Sequence, residues 1–154
     1  MLKLLMYGGT SARHCLTPHD LMTVCFGNSY VDKLFAERDM LRLHHLISVV
    51  AAERQLSEPF WLFCRLLEWS GSARSGVWQY YETLPEAMFV RMSRALELSG
   101  LSKIALKFQL GRDSWNDSDK AADLDAWLDA NEQQIHCAAF ELIATRKNEL
   151  CCET

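Results

Sequence analysis

An all-α single domain, a multi-helix bundle closed by a long acidic C-terminal helix, is the fold the sequence predicts. Three observations lead there. Apolar residues recur at helical spacing along most of the chain. The three prolines, Pro18, Pro59 and Pro85, each stand where a helix would begin, a place where the missing N–H costs nothing. No stretch alternates apolar and polar residues with the period of a strand. At 154 residues, 49% hydrophobic and 23% charged, the chain is long enough to bury a sizeable core without disulfides.

Taken in order, residues 1–16 read as a loose leader, 17–150 as one helical domain and 151–154 as a tail. Within the domain the punctuation predicts helices over 18–26, 30–54, 58–70, 76–82, 85–99, 101–110 and 118–148. The second repeats Leu34, Leu41, Ile47 and Val50 among charged residues, and the third carries Phe60, Phe63, Cys64 and Leu67 at i, i+3, i+4, i+7 spacing. Asn116-Asp117-Ser118-Asp119 offers oxygens to cap the last helix, whose apolar stripe includes Leu124, Trp127, Leu128, Ile135, Ala139 and Leu142. No repeat or linker divides the domain.

The six cysteines are scattered without a CxxC pair, which reads as reduced thiols in a cytoplasmic protein. Met1 to Tyr7 is too short for a secretory apolar run and is followed by Gly8-Gly9-Thr10-Ser11. Nor does any run of about 18 apolar residues suggest a membrane span.

Between Trp69 and Leu84 lies the most distinctive local sequence, Ser75-Gly76-Val77-Trp78-Gln79-Tyr80-Tyr81. Gly76 lets one helix stop and the next begin. The aromatics Trp78, Tyr80 and Tyr81 are expected to pack in the resulting corner, since such clusters are more often core than nucleobase platforms. Gln79 is expected as a buried amide bracketing the Gly76 loop.

That order of an apolar helix, a Gly break, the Trp78-Gln79-Tyr80-Tyr81 turn, an Ala/Leu-rich helix ending at Gly100 and a long acidic helix resembles a helical bacterial family. Most members of that family are uncharacterised, and one is a DNA mimic. The resemblance covers about residues 57–148, with Gly76, Gln79, Tyr80, Tyr81 and Gly100 at matching positions; Arg74, Ser75 and Val77 depart from the family pattern. It implies an inhibitor without chemistry of its own, either an immunity protein capping a toxin or a DNA mimic occupying the basic site of a DNA-binding protein. The implied partner is thus another protein, with no direct contact to nucleic acid and no membrane.

Charge gives that implication a surface. From Asp113 to Glu141 eight carboxylates face one base, Lys120, a formal balance of −7 against −4 for the whole chain. Asp119 and Asp123 lie one helical turn apart, as do Asp125, Asp129 and Glu132. These five are the candidate partner-binding residues, weighed against an ordinary solvated helix face. A pI near 5.7 is mild for a dedicated DNA mimic, which favours the immunity reading.

Catalysis finds little footing. His44 and His45 are adjacent, so their side chains diverge by about 100° on a helix, and His136-Cys137 has the same defect. A zinc site built on His14, Cys15 and His19 is the alternative of another class, a metal-dependent or Cys/His enzyme. No phosphate-binding loop, zincin or esterase motif occurs. The expectation is a non-enzyme with no catalytic residue, no metal and no cofactor. An exposed apolar patch around Trp61, Trp69 or Trp115 would serve a homodimer as readily as a target.

Overall fold

The computed structural model of the protein describes residues 26–151. Seven α-helices follow one another with no strand among the described residues: α1 Asn28–Glu37, α2 Met40–Glu53, α3 Glu58–Gly71, α4 Val77–Thr83, α5 Glu86–Leu98, α6 Ser102–Ser114 and α7 Ser118–Ile143. Short 3-10 turns, Ser72–Ser75 and Lys147–Leu150, follow α3 and α7. The expected all-α multi-helix bundle is therefore present. The leader 1–16, the helix expected from residue 18 and the tail beyond Cys151 lie outside the described residues.

Helix α3 is the central element. It buries Phe60, Leu62, Phe63, Leu66 and Trp69 and packs most extensively against α7, with α2 and α5 on its other sides. Pro59 sits in its first turn, and Pro85 is the N-cap of α5, as the fixed φ of proline favours. Helix α5 ends with Gly100 at φ +73°. There the Leu101 N–H reaches back to the Leu96 carbonyl and the Gly100 N–H to that of Glu97, both at 3.0 Å, the pattern of a glycine-terminated helix.

Three boundaries differ from expectation. The stretch 30–54 is two helices, because Arg38 takes a left-handed conformation at φ 50°, ψ 41°. Asp39 then caps α2 by accepting the Arg42 N–H at 3.0 Å. The break resets the register, so Leu41 is solvent-exposed while Leu43, Leu46, Ile47 and Val50 are buried. Helix α6 continues past residue 110 through Gly111, which is buried against the Tyr81 ring; a Cβ there would lie 2.4 Å from Tyr81 Cζ and Oη. Helix α7 stops at Ile143 instead of 148. The following turn is held by Arg54, whose Nη2 donates to the carbonyls of Glu149 (2.6 Å) and Cys151 (2.9 Å), and Leu150 is buried. Cys151 thus belongs to the packed body and not to a frayed tail.

At the centre of the core Trp69 Nε1 donates to Tyr81 Oη, whose hydroxyl donates in turn to the Phe108 carbonyl, both at 2.9 Å. Phe108 meets Trp69 edge-on at 5.5 Å and stacks on Phe89 at 5.3 Å. The polar tips of two large aromatics are thereby satisfied where no water could serve them. Burial pushes the Tyr81 hydroxyl far above its ordinary pKa, so it remains a donor. Trp69 is consequently no part of an exposed patch. Trp61 is half-buried beneath the Arg91 guanidinium at 3.9 Å, and Trp115 is half-buried as well.

Candidate functional site

The Gly76 corner and the first half of α7 meet across a 2.8 Å hydrogen bond from the Val77 N–H to Asp125 Oδ1. Gly76 has φ +93°, and a Cβ on it would lie 2.8 Å from Trp78 Nε1; both facts call for glycine. Val77 and Tyr81 point into the core, and Tyr80 is half-buried with its hydroxyl 3.6 Å from Met92 Sδ. Two expectations fail here. Gln79 is solvent-exposed, so the amide does not bracket the loop; Asp125, distant in sequence, does. Trp78 is 43% exposed and lies over Gly76 at the surface. With Trp115, Asn116, Ser118, Ala122 and Asp125 it borders a shallow cleft of about 510 Å³.

The five candidate carboxylates of α7 do not form one row. At about 100° per residue, Asp119 and Asp123 fall on the outward face. Asp123 also edges a groove shared with Lys107, Leu110 and Lys120. Asp125, Asp129 and Glu132 fall on the flank toward α4. Two of these three carboxylates serve the fold. Asp125 is half-buried and tied to Val77, and Glu132 Oε1 accepts from Arg74 Nη2 at 2.8 Å. Burial pushes the Asp125 carboxyl above its ordinary value, the Val77 N–H opposes this and the charge of Asp129 adds to it. Asp119, Asp123 and Asp129 are exposed and have no ion-pair partner among the described residues.

A second cleft, about 340 Å³, gathers titratable groups. His44, Glu68, Arg74, Glu132 and His136 line it together with Met40, Leu41 and Leu67. His44 Nε2 stands 3.5 Å from Glu68 Oε1, which is also clamped by Arg65 through its other oxygen at 2.8 Å. His136 Nε2 lies 3.2 Å from Ser70 Oγ and 4.0 Å from Glu132 Oε1. The Ser70 hydroxyl stands 3.2 Å from the Leu67 carbonyl as well as from His136 Nε2, and the histidine tautomer sets which of the two it donates to. Burial holds the His136 pKa below the usual imidazole value, with Glu132 opposing it and Arg74 reinforcing it.

This arrangement does not make Ser70 a nucleophile. Ser70 is only 3% exposed, its hydroxyl has the Leu67 carbonyl as a competing acceptor at 3.2 Å, and the carboxylate approaches the same imidazole nitrogen as the serine. A serine activated by histidine needs an accepting Nε2 with its orienting carboxylate on Nδ1. Cys64 is similarly unsuited, because burial pushes its thiol up to about 11, where the nucleophilic thiolate is scarce at neutral pH. Among the described residues no three His, Cys, Asp or Glu side chains gather as around a metal; His14, Cys15 and His19 lie outside them. No helix among the described residues is long and apolar enough to cross a membrane.

Sequence patterns gave no hint of the Ser70–His136 contact, the Arg74–Glu132 pair or the Asp125–Val77 bond, which join residues far apart in the chain. A carboxylate can be assigned to fold or surface only once its neighbours are known. No protein-family model, curated protein or solved structure matches the chain.

Proposed function

We propose that the protein is a non-enzymatic binding module that neutralises another protein in the manner of an immunity protein. The surface is the exposed carboxylates Asp119, Asp123 and Asp129 of α7, with Trp78 as an aromatic anchor at the cleft it shares with Asp125, one helical turn before Asp129. One contrast carries this reading. At the N-cap and along the same helix Asp117, Glu132 and Glu141 are paired with Lys120, Arg74 and Arg38, whereas Asp119, Asp123 and Asp129 are exposed and have no such partner among the described residues. Unpaired carboxylates of one sign cost a little stability through mutual repulsion and offer a complementary field to a basic partner. A partly exposed tryptophan at the edge of such a field matches the aromatic anchors on which binding energy concentrates.

Three unpaired carboxylates on a chain of formal net charge −4 make a sparse field beside a duplex, which carries one negative charge per about 1.7 Å of its axis, and this favours the immunity reading over DNA mimicry. Affinity capture from cells that make the protein, followed by an activity assay of the captured partner, tests it. The expected result is one stoichiometric basic partner whose own activity is suppressed by added protein. A partner whose activity is unaffected, or that proves to be a DNA-binding protein released steeply by salt, would replace the immunity reading.

A further inference from the structure

The outer face of α6 carries four residues whose order reads the same way from both ends once charge is inverted. Lys103, Leu106, Leu110 and Asp113 are all solvent-exposed and fall within about 80° of one another around the helix. They lie directly opposite Ala105, Phe108 and Gly111, which face the core. Leu106 is 57% and Leu110 47% exposed among the described residues. Neither Lys103 nor Asp113 has an ion-pair partner among the described residues. The flanking polar positions, by contrast, are engaged within the molecule: Lys107 Nζ sits 5.4 Å above the Trp127 ring, and Gln109 donates to Glu97 at 3.0 Å.

Position 108 is the midpoint of both 106–110 and 103–113. A two-fold axis through that level of the exposed face would bring two copies of α6 together antiparallel. It would set Leu106 against Leu110 of the second copy, and Lys103 against Asp113 of the second copy, each contact occurring twice. A closed two-fold interface demands this reciprocity. Any partner for the stripe must present an acidic group, two apolar residues and a basic group in reversed order, and a second copy of this chain does so without further assumption. We propose that the protein forms a two-fold dimer through antiparallel packing of α6, with Leu106 and Leu110 at its centre and reciprocal Lys103–Asp113 pairs at its ends. The stripe spans only about 15 Å, so the interface is smaller than that of an obligate dimer, and association is weak and concentration-dependent. The dimer uses α6 and does not depend on the reading given to α7.

Sedimentation velocity on a dilution series up to millimolar protein tests this. The wild type is expected to pass from monomer to dimer with rising concentration. L106E/L110E is expected to stay monomeric throughout with unchanged helix content. The charged ends supply a test that leaves the apolar centre intact. Lys103→Glu or Asp113→Lys alone places like charges opposite one another twice and is expected to weaken the dimer roughly tenfold, while K103E/D113K together restores the pairing to within about threefold of wild type. A wild type that stays monomeric at every concentration would overturn the proposal. So would a dimer untouched by L106E/L110E, or a double reversal no tighter than the single ones.

Discussion

Asp125 and Asp129 stand one turn apart on α7 and do opposite work. Asp125 closes the Gly76 corner through the Val77 N–H, whereas Asp129 faces solvent. Replacing Asp125 by Ala strands that N–H at the start of α4 and is expected to cost about 1 kcal/mol in urea denaturation. Asn keeps an acceptor oxygen and removes a charge that partial burial, and then neighbouring Asp129, disfavour, so D125N is expected to match or exceed the wild type. A D125N protein as unstable as D125A would place the contribution in the charge and not in the hydrogen bond. Gly111 is a second single-residue dependence. Gly111→Ala drives a methyl group into the Tyr81 ring, which is already fixed by Trp69 and Phe108, and is expected to destabilise by about 2–3 kcal/mol on the same measurement. His136 supplies a pH dependence. Its folded-state pKa lies below the ordinary 6.5, so the unfolded chain takes up the proton first. The associated stability is fully present above 6.5 and drains as pH falls through the interval down to the folded value. H136Q, which keeps a donor for Ser70 but cannot titrate, is expected to flatten that part of the melting-temperature profile.

Among the elements, the α1–α2 break shows where local sequence was legible and where it was overruled. Leu34, Leu41, Ile47 and Val50 fit one continuous helix as a pattern, yet the chain leaves the helix at Arg38 and restarts at Asp39. The restart had a readable signal, an Asp in the N-cap position. The stop had none, since a non-glycine residue in the left-handed region is uncommon. Comparing R38A with R38G isolates that cost. Both lose the Glu141 pair and the stacking over Phe140, but only Gly relieves the backbone. R38G is therefore expected to be about 1 kcal/mol more stable than R38A by thermal melting. The starts of α3, α5 and α7 were legible because Pro59, Pro85 and Asp117 act within one turn. The ends of α6 and α7 were not, because Gly111 is kept helical by the Tyr81 ring and the turn after Ile143 is held by Arg54, both distant in sequence. The Gly76 corner was half-readable for the same reason: the glycine announces the turn, while the group that closes it comes from α7.

At the scale of the whole molecule the all-α bundle follows from periodicity and punctuation, but the division of charge between fold and surface does not. The acidic segment 113–141 reads as one face in the sequence. In three dimensions its α7 part divides between an outward face and a flank, with structural pairs among its members, leaving Asp119, Asp123 and Asp129 of that helix exposed and unpaired among the described residues. With binding proposed for those three and stability for Asp125 and Glu132, the division can be tested in one protein. Calorimetric titration of the captured partner against the wild type and against D119K/D123K/D129K, with melting curves of both, is the most direct measurement. The variant is expected to melt within a few degrees of the wild type while its affinity falls by at least about a hundredfold. An undiminished affinity in a folded variant would contradict the claim that the unpaired carboxylates of α7 are the binding surface.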